Sequence, residues 1–201
     1  MLFRSFPFAS VECRAWRAET ARTGAMRVLI AAGGTAGHVL PALAVARVLG
    51  DAGDDVRFLG TERGQESRLV PEAGFPLTTV DVRPFPRRPS RALGAALLAA
   101  SRSVRACRGP VEAADVVLGM GGYVSVPAGI AANRARRPLV IHEQNAVAGL
   151  TNRLLAGLAR EVLEAFPGSF SSRRKTIVVG NPVREDILRI TDPGQIGRAH
   201  V

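Results

Sequence analysis

Residues 26–49, MRVLIAAGGTAGHVLPALAVARVL, set a short apolar run against a glycine pair and follow it with a stretch of helical character. The run MRVLIAA lacks the polar alternation of a half-exposed strand. It suits a strand covered on both faces, and such strands belong to parallel sheets. The same unit recurs along the chain. DVRFLG (55–60), LTTVDV (77–82), DVVLGM (115–120), PLVIHE (138–143) and stretches near 161–165 and 176–179 read as further short strands. Between them lie helical stretches from Pro41 to Gly53, over 64–73, over 91–108, near 125–135 and near 148–158. Pro41 suits a first helical turn and Gly53 a stop. This alternation implies an α/β fold, a Rossmann-like parallel sheet with helices on both faces.

With 201 residues the chain can bury the core of one such domain, expected over residues 26–188. The first 25 residues lack clean periodicity and are expected to be a non-native or mis-annotated leader, with Met26 as the natural start. Residues 189–201 are expected to be a truncated tail, lacking a second domain. The end QIGRAHV (195–201) matches the translation of a common sequencing adapter, and MLFRS (1–5) matches its opposite strand.

Charge narrows the classes of partner. The net charge is +10, yet Lys175 is the only lysine among 27 basic residues, a bias expected of a GC-rich coding sequence. The remaining basicity suits a membrane surface or a diphosphate. Nucleic acid is disfavoured, because no recognition motif accompanies the charge and only one Tyr and one Trp are available for stacking. Cys13 and Cys107 are too few and too scattered for a disulfide framework or a zinc site. The longest apolar stretch, ALGAALLAA (92–100), is far short of a bilayer span. The helix over 91–108 sets Leu93, Leu97, Leu98 and Val104 beside arginines 91, 102, 105 and 108. It reads either as an interfacial patch or as a core-facing helix with a solvated arginine face.

Four clusters sit where strands end. In AAGGTAGH, glycines without Cβ atoms let backbone N–H groups approach a ligand, and a helix N-terminus follows as a natural anion site. A corner needing positive φ is the competing explanation. The dinucleotide fingerprint does not fit: Gly33, Gly34 and Gly37 do not give G-x-G-x-x-G, and strand two ends in Gly60-Thr61 rather than an acid for a ribose. No Gly-Lys-Ser/Thr occurs, so the P-loop is excluded. LGMGGYVSVPAG (118–129) repeats the design, with Gly119, Gly121 and Gly122 ahead of a helix starting near Ser125. Both turns are expected at the carboxyl edge of the sheet, where open α/β sheets bind ligands. IHEQNAVAGLTN (141–152) and VVGNPVRED (178–186) add His142, Glu143, Gln144, Asn145 and Arg184. A solvated loop with a helix cap is the alternative for the first of these.

GGTAGHVLPALAVA, FLGTERGQE, LGMGGYVSVP, HEQNAVAGLTN, AFPGSF and VVGNPVRE together resemble the MurG family in order and spacing, from Met26 to about Leu188. The resemblance covers only the family's N-terminal half and implies the N-terminal domain of a GT-B glycosyltransferase. The implied reaction is transfer of GlcNAc from UDP-GlcNAc to the C4 hydroxyl of the muramyl sugar of lipid I, giving lipid II. It implies a peripheral enzyme at the cytoplasmic face of the inner membrane, with no metal and no cofactor, UDP-GlcNAc being a substrate. His38 matches the histidine proposed as the base, and imidazole as a side-chain type suits that role. Glu143 is the second candidate base. Thr35, Ala36, Gly37, Asn145 and Arg184 match donor-binding positions, and Gly121, Gly122, Tyr123 and Ser125 resemble part of an acceptor diphosphate site. Ala36 stands where many members have glycine. Two other readings stay open: a lipid I- or membrane-binding domain without catalysis, and another two-domain lipid glycosyltransferase.

Overall fold

A computed structural model describes residues 24–82, 93–170 and 175–182. The expectations for the leader, Arg184 and the tail lie outside these residues.

The element order is β1 (Arg27–Ala31), α1 (Ala36–Asp51), β2 (Asp55–Gly60), α2 (Glu66–Glu72), β3 (Leu77–Thr79), α3 (Leu93–Ala113), β4 (Val116–Gly119), α4 (Ser125–Arg134), β5 (Leu139–Glu143), α5 (Leu150–Leu155), β6 (Glu161–Glu164) and β7 (Ile177–Val178). The strands form one sheet in the order β3-β2-β1-β4-β5-β6-β7, and every pairing is parallel. The expected fold class is borne out.

Period-two alternation along β1 divides the core between the two faces of the sheet. Val28 and Ile30 join Val56 and Phe58 of β2 and Val39, Leu43 and Ala46 of α1 in one cluster. Leu29 and Ala31 point the other way, into a cluster with Leu59, Val104, Cys107 and Val111, Ala128 of α4 and Leu155 of α5. Burial pushes the Cys107 thiol up to about 12, so it is a small apolar packing group. Helix α3 faces the core through Val104, Cys107 and Val111, while Arg102, Arg105 and Arg108 are exposed. The core-facing reading therefore holds over the helix's C-terminal part.

The start of α1 departs most from expectation, whereas the helix expected to begin near Ser125 does so. α1 opens at Ala36, not Pro41, because Thr35 is extended and its carbonyl accepts the N–H groups of His38 and Val39. Pro41 lies inside the helix, and the carbonyl it leaves without a donor belongs to exposed Gly37. Pro110 is tolerated in α3 in the same way, since Ala106, four residues earlier, is exposed. As a result His38 stands in the first turn of α1. The end of α1 matches expectation: Gly53 at φ +88° donates to the Gly50 carbonyl and Asp54 to that of Leu49, a Schellman stop. β3 pairs over only three residues, against six expected.

Candidate functional site

Strand order reverses between β1 and β4, which are neighbours in the sheet although two strands separate them in sequence. The loops leaving these two strands are the two glycine turns. At such a switch point open α/β sheets place their ligand crevice, outside the carboxyl edge of the strands.

The turns are fitted to one another by missing side chains. A Cβ on Gly122, which sits at φ +77°, would collide with the carbonyl oxygen of Gly33. A Cβ on Gly34 (φ +92°) would stand 3.3 Å from the Tyr123 ring. A Cβ on Gly121 (φ +97°) would meet the His38 ring at 2.7 Å. The second turn therefore lies directly against the first, and the imidazole of His38 rests on Gly121. Among the described residues, no hydrogen bond occupies the N–H groups of Thr35, Ala36 and Gly37, nor those of Gly121, Gly122 and Tyr123. Both sets belong to turns that open helices, where backbone donors await an external acceptor. Thr35 is exposed and its hydroxyl caps nothing, so it too is available.

Glu66 holds the first turn from behind. It is fully buried, and its carboxylate accepts the Gly34 N–H at 2.9 Å, the Thr61 N–H at 2.9 Å and the Thr61 hydroxyl at 2.7 Å. The Gly34 N–H, counted from sequence among possible ligand donors, is thus already used. Sequence reasoning missed Glu66. The signal was an acid flanked by Gly60 and Gly64, neither of which could carry a Cβ without striking that side chain.

A buried polar network of His142, Glu143, Gln144 and Asn152 lies at the end of β5, under a loop whose residues 145–147 are exposed. Glu143, 1% exposed, accepts the backbone N–H and side-chain amide of Asn145 on one oxygen. Its other oxygen accepts the Gly149 N–H and the Asn152 amide. Burial alone would raise this carboxyl, but the four donors outweigh it and hold the group below its ordinary range. All four donors belong to the loop after β5 and to the helix that follows it. His142 is also fully buried. Burial lowers its pKa, against the opposing effects of the Gly180 carbonyl and the Glu143 charge. Gln144 bridges this network to His38, 3.3 Å from its Nδ1.

Seven expected residues, Thr35, Ala36, Gly37, His38, Gly121, Gly122 and Tyr123, therefore come together around one crevice. Tyr123 also lines a cavity of about 680 Å³ with Thr61, Arg63 and Asp81. Two of the expected residues are engaged by the protein's own backbone and side chains. The Ser125 hydroxyl, 1% exposed, points inward, with its single hydrogen between the carbonyls of Ala31 and Gly121 at 2.8 and 2.7 Å, so it links the second turn to the end of β1. Glu143 is a loop former. Asn145 is exposed, but its amide nitrogen is held by Glu143. No group of three or more metal-ligating side chains occurs among the described residues.

Residues 28–164 match the model of the glycosyltransferase family 28 N-terminal domain. Over 174 residues the chain is 53% identical to the UDP-N-acetylglucosamine–N-acetylmuramyl-(pentapeptide) pyrophosphoryl-undecaprenol N-acetylglucosamine transferase of Acidithiobacillus ferrooxidans, covering 83% of this chain and 46% of that one. The Nitrosococcus oceani protein of the same description is 49% identical over 172 residues, covering 84% and 47%. The chain thus spans about half the length of the curated relatives it matches. Among solved structures, MurG of Acinetobacter baumannii superposes with a TM-score of 0.66 at 37% identity, covering 76% of this chain and 44% of that one. HepE of Anabaena, solved with UDP and glucose, shares the fold at a TM-score of 0.55 and 18% identity, covering 87% and 49%.

Proposed function

Because the chain belongs to glycosyltransferase family 28 and carries its N-terminal domain, we propose that it supplies the acceptor-facing half of an inverting N-acetylglucosaminyltransferase. That enzyme moves GlcNAc from UDP-GlcNAc to the muramyl C4 hydroxyl of lipid I. The observation that carries this reading is the seating of His38 on Gly121, with unoccupied backbone N–H groups of both glycine turns around it.

Inversion in one step needs an in-line attack, a base for the hydroxyl proton and donors for the charge that develops on diphosphate oxygens. His38 is half-exposed in the crevice, whereas the Glu143 carboxylate is buried and engaged by four donors. The base is therefore His38. The first-turn N–H groups, with the Thr35 hydroxyl, suit the donor side; those of Gly121, Gly122 and Tyr123 suit the acceptor diphosphate. The cavity beside Tyr123 offers room for the acceptor's sugar or peptide. No described helix is long and apolar enough to cross a membrane. The exposed Leu98, Arg102, Arg105 and Arg108 of α3 support peripheral contact with an anionic lipid surface at the cytoplasmic face.

The test is a chimera joining residues 26–182 to the C-terminal half of the Acidithiobacillus ferrooxidans relative, assayed for lipid II formation and UDP release. The chimera is expected to turn over, and His38→Ala to lower turnover about 10²–10⁴-fold, the range for a lost general base. Near-unchanged turnover in the variant removes His38 from that role.

A further inference from the structure

We propose that Gln144 is a positioning residue that sets the tautomer of His38, holding its proton on Nδ1 and leaving the Nε2 lone pair for the crevice. The inference rests on His38 being the base for its meaning in catalysis, but its geometry stands independently.

The argument runs from two main-chain carbonyls, which can only accept. The Gly180 carbonyl lies 3.0 Å from Nε2 of His142, so that nitrogen carries the hydrogen. His142 is buried and neutral, so its Nδ1 holds a lone pair. The carboxamide nitrogen of Gln144 stands 3.2 Å from that Nδ1 and 3.1 Å from the His142 carbonyl. Its two hydrogens thus have two acceptors. A flipped amide would instead set its oxygen against both a carbonyl and a lone pair, so the network admits one orientation. The amide oxygen therefore faces His38, 3.3 Å from Nδ1, and a ring nitrogen opposite an acceptor must donate. Free imidazoles of histidine favour the Nε2–H form in water. The protein selects the other one, and the ring's place on Gly121 keeps it in register with Gln144. This is the second-partner logic by which a histidine's working nitrogen is chosen by what the other nitrogen touches.

The chain has three histidines, which keeps the measurement simple. Long-range ¹H–¹⁵N correlation spectra of the ¹⁵N-labelled 201-residue chain at mildly alkaline pH distinguish the two tautomers of each ring, with His38→Ala and His142→Phe variants giving the assignments. The wild type is expected to show His38 as Nδ1–H and His142 as Nε2–H. Gln144→Met, similar in shape but without an acceptor, is expected to return His38 mainly to Nε2–H. Dispersed amide spectra certify the fold of each variant. A wild-type His38 in the Nε2–H form overturns the proposal without any variant, as does a folded Gln144→Met that leaves the tautomer unchanged. Because no substrate is present, the result is independent of transfer: a chimera in which His38→Ala turns over normally would refute the base and leave the tautomer assignment intact.

Discussion

Glu66→Gln isolates the hydrogen bonds behind the first glycine turn while leaving packing nearly untouched. The exchange replaces one carboxylate oxygen by NH₂ in a fully buried site. Two donors wait at Oε1, the N–H and hydroxyl of Thr61, and one waits at Oε2, the N–H of Gly34. The glutamine oxygen will therefore turn to Thr61, and its NH₂ will oppose the Gly34 N–H. One hydrogen bond to a charged acceptor, worth about 1.5–3 kcal/mol, is lost and a buried donor is left unsatisfied. The two retained bonds weaken to roughly half as they lose charge assistance. Removing a buried charge returns part of this through relieved desolvation. A net loss of about 2–3 kcal/mol follows, or roughly 4–12 °C in Tm for a domain of this size. Urea melts followed by far-ultraviolet circular dichroism give the first number. Amide exchange gives the second check, since Gly34 should exchange faster in the variant while amides of β5 and β6 do not. A change below about 0.5 kcal/mol with Gly34 exchange unaltered would refute the claim that Glu66 holds the turn.

Gly122→Ala adds a Cβ that collides with the Gly33 carbonyl at a residue of φ +77°, and a loss above about 3 kcal/mol or failure to fold is expected; a melt within 0.5 kcal/mol of wild type would separate the two turns. Gly37→Ala behaves oppositely. Its Cβ would meet only the Thr35 hydroxyl, at 3.7 Å, so stability should hold or rise by up to about 1 kcal/mol, whereas affinity for UDP-GlcNAc in the chimera should fall; unchanged affinity means that no ligand approaches there. Acid should destabilise the chain in two stages of the same sign. His142 has its pKa lowered by burial, so below its ordinary 6.5 the unfolded chain takes a proton that the folded one refuses. Glu143, lowered despite burial by its four donors, adds a second loss below 4.5, and His142→Phe should remove only the upper limb of a stability curve measured between pH 3 and 8.

Strands were legible from sequence because their burial on both faces leaves an uninterrupted apolar signature, as in β1, β2 and β5. The start of α1 was not. Thr35 opens α1 without a side-chain cap, and Pro41 imitates a first-turn proline although its missing donor merely frees the exposed Gly37 carbonyl. The neighbouring of β1 and β4 was also out of reach, since strand order depends on pairings between residues 88 apart such as Val28 with Val116. That pairing is what brings two separate glycine turns into one crevice. Within it, polar residues that read as ligand contacts divided by burial. Glu143 and Ser125 turned inward to satisfy backbone groups, and Glu66, which sequence reading did not single out, proved to be the acceptor that the first turn needs.

The glycines carry the sharper lesson. Gly33, Gly34, Gly121 and Gly122 lack side chains because Glu66, Tyr123, His38 and the opposing backbone already fill the space. Their pattern, which sequence reading treats as a mark of ligand approach, is first a condition for the two turns to pack. Among the glycines of the first turn, Gly37 alone has room for a Cβ, which would make only an ordinary contact with the Thr35 hydroxyl at 3.7 Å. The consequence for chemistry is that this site's donors are pre-positioned. Each turn is held by the other, the first by Glu66 and the second by the Ser125 hydroxyl, so under the proposed function the N–H groups around His38 would need no rearrangement to meet developing charge. A site of that kind stabilises a transition state through fixed dipoles. Loosening any one of these internal contacts should therefore reduce turnover more than substrate affinity.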